Sequence, residues 1–205
     1  MKTWRLAFGV GVAAVLALAM GCGSTAPSRF YTLGSTATSA GATAAPYAVI
    51  VGPVSIPASV DQPALVVHVA PNQVDVDDFN RWAGPLDDGI ARTVAGDLSV
   101  MLGSPRVATA PLANFEPDYR VTIDVQRFDS IQGEAALIEA VWAVSPSAGG
   151  PTRSGRTVAR EAVTGEGVDA FAGAHSRALA QVSRDIAAAI RSAAASPAQG
   201  AGTTR

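Results

Sequence analysis

The 205-residue chain holds one cysteine, two histidines and a single lysine, and each scarcity closes off a chemistry. Cys22 has no partner for an intramolecular disulfide, so no cross-link within the chain holds the fold. Lys2 is the only lysine, and with every later basic residue an arginine the body has no lysine nucleophile or general base, which excludes Ser-Lys chemistry. A structural zinc site needs four nitrogen or sulfur ligands, and His68 and His175 are too few. No Gly-x-Ser-x-Gly elbow is present to position a serine for a Ser-His-Asp site. His68 sits in an apolar strand pattern and His175 beside an apolar helical stripe, so both read as structural; a hydrolase using His175 is a distant third reading. Asp75, Asp77 and Asp78 carry oxygen ligands of the kind calcium takes, but the glycine turn and distal glutamate of an EF-hand are missing. Helix caps use the same residues. No phosphate-cradling loop stands either, since Gly149-Gly150 leads into Pro151 without a helical pattern behind it. The expectation is a protein without a catalytic centre, a metal or a bound cofactor.

What is present begins at the N-terminus. Lys2 and Arg5 precede an apolar run from Leu6 to Met20, then Gly21 and Cys22. This is the layout of a secretory signal peptide, and the run falls short of the ~20 residues that span a bilayer. Leu18-Ala19-Met20-Gly21-Cys22 resembles a bacterial lipobox, in which the cysteine thiol is diacylated and its freed amine acylated in turn. On that reading residues 1–21 leave and Cys22 becomes a lipidated N-terminus; Ala19 stands where leucine is commonest, and an ordinary signal peptide cut nearby is the alternative. The processed chain has 184 residues with 13 basic and 17 acidic side chains, a net charge of −4. Such a chain has no electrostatic footprint for nucleic acid or anionic headgroups, so membrane attachment falls to the acyl chains.

Residues 22–46 are dominated by Ser, Thr, Ala, Gly and Pro, which reads as a flexible linker with a reach of roughly 80 Å when fully extended. Within it, residues 29–33 form a β-prone island expected to dock on the body. Ala48 to Val51 reads as a buried strand, and Ala64 to Val69 with Gln73 to Val76 as a hairpin. Trp82, Leu86, Ile90, Val94, Leu98 and Met101 recur at helical spacing, predicting a helix from near Phe79 to Leu102, capped by Asp77 or Asp78 and either kinked or begun at Pro85. Tyr119 to Phe128 alternates with a slip before Phe128, Ala135 to Val144 returns, Ser145 to Gly155 is a loop and Arg156 to Val163 is the last strand. Asp169 to Ser192 is the second long helix, with Asp169 as its cap, and 193–205 is a disordered tail. The fold class is α/β, a single mixed-sheet domain over 47–192 with two long helices on the sheet, in the order β-β-α-β-β-β-α.

Arg29-Phe30-Tyr31-Thr32-Leu33, Val51 to Pro57 running through Asp61-Gln62-Pro63 into a strand, Asn80 to Leu86, Val125 to Asp129, and Trp142 follow one another in a specific order. Together they resemble the PqiC (YmbA) family of ABC-transport auxiliary lipoproteins, over about residues 29–192; Gly84 replaces the acidic residue frequent there. The resemblance implies a lipoprotein facing the periplasm from the outer membrane and working with an MCE-domain protein and an ABC/permease system that move lipid. Gly23, where an inner-membrane retention signal carries aspartate, is compatible with that sorting. The candidate partner interface is Tyr31, Pro53, Arg81 and Trp82, since exposed aromatics and arginine supply most interface hot spots. Trp82 and Tyr31 as core anchors are the competing reading. A tethered lipid-binding carrier with an apolar cavity is the rival function.

Overall fold

A computed structural model describes residues 27–39, 47–165 and 167–195; Cys22, the signal segment and the end of the tail lie outside them. In chain order the elements are β1 (Arg29–Tyr31), β2 (Val49–Ser55), β3 (Ala64–Ala70), β4 (Gln73–Trp82), α1 (Leu86–Leu102), β5 (Val107–Thr109), β6 (Tyr119–Ile131), β7 (Ala135–Pro146), β8 (Arg153–Ala162) and α2 (Val168–Ala195). The eight strands make one mixed sheet.

The sheet is built around β6. Tyr119, Val121, Ile123 and Val125 turn to the core while their neighbours face out, and the pairing with β7 then slips between Val125 and Arg127. This bulge is the expected slip, and its extra residue returns Phe128 and Ser130 to the buried side. Antiparallel β7 and β8 continue the sheet from one edge of β6. Along the other edge β2 runs parallel to its first half and β3 to its end, Val67 and His68 meeting Ser130 and Ile131. Beyond β2 lies β5, parallel to it; beyond β3 come antiparallel β4 and then β1, parallel to β4.

Both helices pack against the sheet and against each other, α1 over β2 and β5, α2 over β7 and β8. One continuous cluster joins Ile90, Val94 and Leu98 of α1, Leu179, Val182 and Ile186 of α2, and Val49, Val121 and Ile138 of the sheet. Gly103 ends α1 in the left-handed region at φ 61°, where a residue without Cβ is unstrained.

The architecture is the expected α/β mixed sheet with two helices, and the differences are local. α1 starts after Pro85, as the second of the two expected alternatives has it, but Phe79–Trp82 belong to β4. Proline cannot donate to a helical hydrogen bond but is pre-set for a helix start, so the apolar spacing upstream of it does not propagate. Asp77 is correspondingly not a helix cap. Its Oδ1 accepts from the backbone N–H of Phe79 (3.0 Å) and Asn80 (3.1 Å), stabilising a turn inside β4. Asp169 lies in the first turn of α2, which begins at Val168.

Candidate functional site

The segment 27–39 lies against the body as a strap. β1 pairs with β4 in the register Arg29–Asn80, Phe30–Arg81, Tyr31–Trp82. Paired residues share a face, so Tyr31 and Trp82 lie on one side of the two strands and Phe30 and Arg81 on the other. The Tyr31 hydroxyl donates to Asn80 Oδ1 at 2.8 Å, and the Ala83 N–H donates to the Tyr31 carbonyl at 2.9 Å. Further along, the strap passes close to α1 because that helix is small there. A Cβ on Gly96 would stand 3.1 Å from Ser35 Cβ, and one on Gly89 would stand 3.8 Å from the Leu33 side chain.

Asp97 holds the strap at this crossing. Fully buried, its Oδ1 accepts from Ser35 Oγ (2.7 Å) and from the backbone N–H groups of Thr36 and Ala37 (both 3.2 Å). Its Oδ2 accepts from Ser183 Oγ of α2 at 3.0 Å. Burial pushes the carboxyl upward, and the hydrogen bonds from Ser35, Ser183 and the two strap amides pull against that shift. Ser176 adds a second contact from α2, its Oγ accepting from Gly34 N–H at 3.2 Å.

Above this crossing, Tyr31, Leu33, Trp82, Pro85, Leu86 and Arg92 line an open cleft of about 230 Å³, apolar with a guanidinium among its lining side chains. Trp82 is only 7% exposed, and its ring meets Phe128 (6.0 Å) and His175 (6.5 Å) edge-on. It forms the floor of the cleft as a core residue. Tyr31 is half-buried, and Arg81 is half-buried on the opposite face of β4. Pro53, exposed after a cis Gly52–Pro53 bond, borders a different depression with Ser55, Asp124 and Trp142. The four candidate interface residues are therefore divided. Tyr31 and Trp82 share a cleft, Arg81 faces away from it on the other side of β4, and Pro53 stands apart.

His175 stacks on Phe128 with ring centres 3.8 Å apart and planes 7° from parallel, and its Nε2 lies 2.9 Å from Ser130 Oγ. A serine–histidine pair invites comparison with a hydrolase, but both side chains are buried and no group among the described residues orients the other ring nitrogen. Burial holds the imidazole down at about 3, so it is neutral across the physiological range. His68, on β3 between β4 and β6, has its Nε2 3.5 Å from Asp129. Asp77 accepts from Asn80 Nδ2 at 2.6 Å, the bond that does most to lower its carboxyl below the ordinary range, and its oxygens serve the turn.

Asp97 and Arg92 were not singled out from the sequence. The signal for Asp97 was available: it falls seven residues after Ile90 and three after Val94, on the apolar stripe itself, where a carboxylate must find donors.

Residues 31–187 match the family described as the ABC-type transport auxiliary lipoprotein component. The chain belongs to that family. The auxiliary lipoprotein fold recurs in solved structures. A Xanthomonas campestris protein of the DUF330 family superposes with a TM-score of 0.64 at 23% identity, over 78% of this chain and 92% of that one. A protein described only as uncharacterized superposes at 0.65 with 21% identity, covering 80% and 99%. At these identities the likeness concerns the fold. No curated protein matches the chain. Among the described residues of this auxiliary lipoprotein, no helix is long and apolar enough to cross a membrane.

Proposed function

We propose that this auxiliary lipoprotein is a non-catalytic, periplasm-facing subunit of an MCE/ABC-type intermembrane lipid transport system, acylated at Cys22 and docking the transport assembly at the outer membrane. Family membership over residues 31–187 carries the reading. Three features support it: the lipobox-like stretch ending in Cys22, a Ser130–His175 pair closed to substrate, and an apolar cleft lined by Tyr31 and Arg92. The carrier alternative gains less support, because one continuous set of side chains fills the space between sheet and helices.

The docking surface is the Tyr31 cleft with Arg92 in its lining. Trp82 supports it from below, and Pro53 would belong to a separate contact. Full-length tagged protein is purified from membranes, and co-purifying proteins and the Cys22 peptide are identified by mass spectrometry. A triacylated Cys22 together with an MCE-domain protein is the expected result. Tyr31→Ala, at a half-buried position, and Arg92→Ala, at an exposed one, should then lose that partner while keeping the fold; unchanged co-purification removes this surface from the interface. Acylated protein that comes down alone with stoichiometric phospholipid favours the carrier.

A further inference from the structure

Phe30 is 64% exposed and Phe79 is 45% exposed, the former on edge strand β1 and the latter on neighbouring β4, two positions before Arg81, the residue paired with Phe30. Pro27, Ser28 and Arg29, which lead into β1, are exposed as well. The strap changes the geometry of the lipid tether. With residues 27–39 laid on the body, only residues 23–26 lie between Cys22 and the strap. Five Cα–Cα steps from Cys22 to Pro27 reach at most about 18 Å. A body of this length is roughly 40 Å across, so the tether is less than half its diameter. An anchor that short keeps the strand it enters turned toward the bilayer and holds the far side away from it.

We propose that the β1–β4 edge presenting Phe30 and Phe79 is a membrane-contact surface, seated in the interfacial region of the bilayer that holds the chain's own acyl group. The proposal rests on Cys22 being that acyl anchor. Phenylalanine rings bury their apolar surface at the boundary between headgroups and acyl chains. Arg81, paired with Phe30, is long enough to keep its guanidinium group in the headgroup layer. The chain's net acidity and the exposed Asp78 next to Phe79 argue against attraction to anionic lipid, so the contact is one of apolar insertion and needs no negative headgroup. A docking protein would also cover exposed aromatics, but the tether places lipid, and not a second protein, within reach of this edge at all times.

The test uses full-length acylated protein reconstituted in phosphatidylcholine vesicles with and without brominated acyl chains. Three variants each add one tryptophan at an exposed site: Phe30→Trp, Phe79→Trp, and Val158→Trp on β8, which three other strands separate from β4 along the sheet. The expected result is that all three float with the vesicles. The added emission of Phe30→Trp and Phe79→Trp is blue-shifted and quenched by brominated lipid, while that of Val158→Trp is neither. Protein that floats with Phe30→Trp unquenched overturns the membrane contact and leaves the acyl anchor standing. Equal quenching at Val158 overturns it too, since the body then has no preferred face. Protection of Phe30→Trp that appears only with a co-purified partner, or only as protein concentration rises, assigns the edge to a protein or to a second copy and also overturns it. Protein that fails to float overturns the anchor and, with it, this inference.

Discussion

Gly155 lies opposite Trp142 in the β7–β8 ladder, and the indole occupies the space a side chain would need. A Cβ built there would come 2.3 Å from Trp142 Cζ2 and 2.7 Å from Cη2. The ring is fixed at its other end, since Nε1 donates to Thr157 Oγ1 at 3.0 Å and Thr157 Oγ1 donates to Asp185 Oδ2 of α2 at 2.6 Å. One missing side chain thus seats a tryptophan that links two strands to a helix. Gly155→Val must displace the indole and break its hydrogen bond, a combined loss of about 2–4 kcal/mol. Urea denaturation should show it as a lower midpoint with an unchanged slope, and a midpoint within error of the parent would refute the packing role. From the sequence, Gly155 reads as the end of a loop that begins at Ser145. β7 in fact runs to Pro146 and β8 starts at Arg153, so the glycine is inside a strand. Glycine signals both a turn and a close approach, and only the partner across the ladder distinguishes them.

At the scale of the element, the strap is the part that composition describes least well. Arg29 to Leu33 is recognisable as a docking segment by its β-prone side chains, but the contacts continue to Ala37 through Ser35 and Thr36, which look like linker. Their partner is a carboxylate some sixty positions away, and complementarity of that kind leaves no periodic trace. The same limit explains α1: Trp82 has helical spacing to Leu86, yet Pro85 divides them and the tryptophan enters the core from a strand. Strongly patterned elements such as β6, with its bulge, and α2 were legible, because one buried face imposes its period on many residues. Of the four residues expected on one surface, Tyr31 and Trp82 line one cleft, whereas the opposite facing of Arg81 and the remoteness of Pro53 were not legible. Removing the Asp97 carboxylate tests the strap. Asp97→Ala leaves Ser35 Oγ and two N–H groups without their acceptor, and the strap regains those bonds by lifting into water. Bonds to a charged acceptor contribute about 1.5–3 kcal/mol each, so the strap should open while the helices and sheet stay folded. Hydrogen exchange should accelerate at Thr36 and Ala37 and not along β6. Asp97→Asn keeps an oxygen acceptor, and its new N–H can donate to Ser183 Oγ, which retains Leu179 O as its own acceptor. It should hold the strap closed, and equal exchange in both variants would remove Asp97 from the role.

At the scale of the whole molecule, two buried groups that titrate below neutral pH, His175 and Asp97, set opposing dependences of stability on pH. His175 has its pKa lowered by burial from 6.5 to about 3. The unfolded chain takes up a proton there that the native state refuses, so the stability due to the neutral imidazole is complete above pH 6.5 and declines as pH falls toward 3. Each pH unit in that window costs up to about 1.4 kcal/mol, which gives a loss of about 2 kcal/mol near pH 5. Asp97 acts in the other direction. Its pKa is raised above 3.8, so in the interval just above that value the native state binds the proton more readily, and acidification relieves the cost of the buried charge. Over a descent from about pH 7 to about pH 4, which enters that interval, the parent protein should therefore lose less than His175 alone dictates. Asp97→Asn, which has no proton to exchange, should show a steeper loss. His175→Gln should lose almost nothing, or gain slightly, because only the Asp97 contribution remains. Denaturation of the three proteins at both pH values separates the contributions, and ring NMR of His175 in the parent should report a neutral imidazole throughout. Identical slopes in the parent and His175→Gln, or an imidazole that protonates near its ordinary value, would mean that water reaches the ring and that the layer between sheet and helices is open at Trp82, the floor of the cleft.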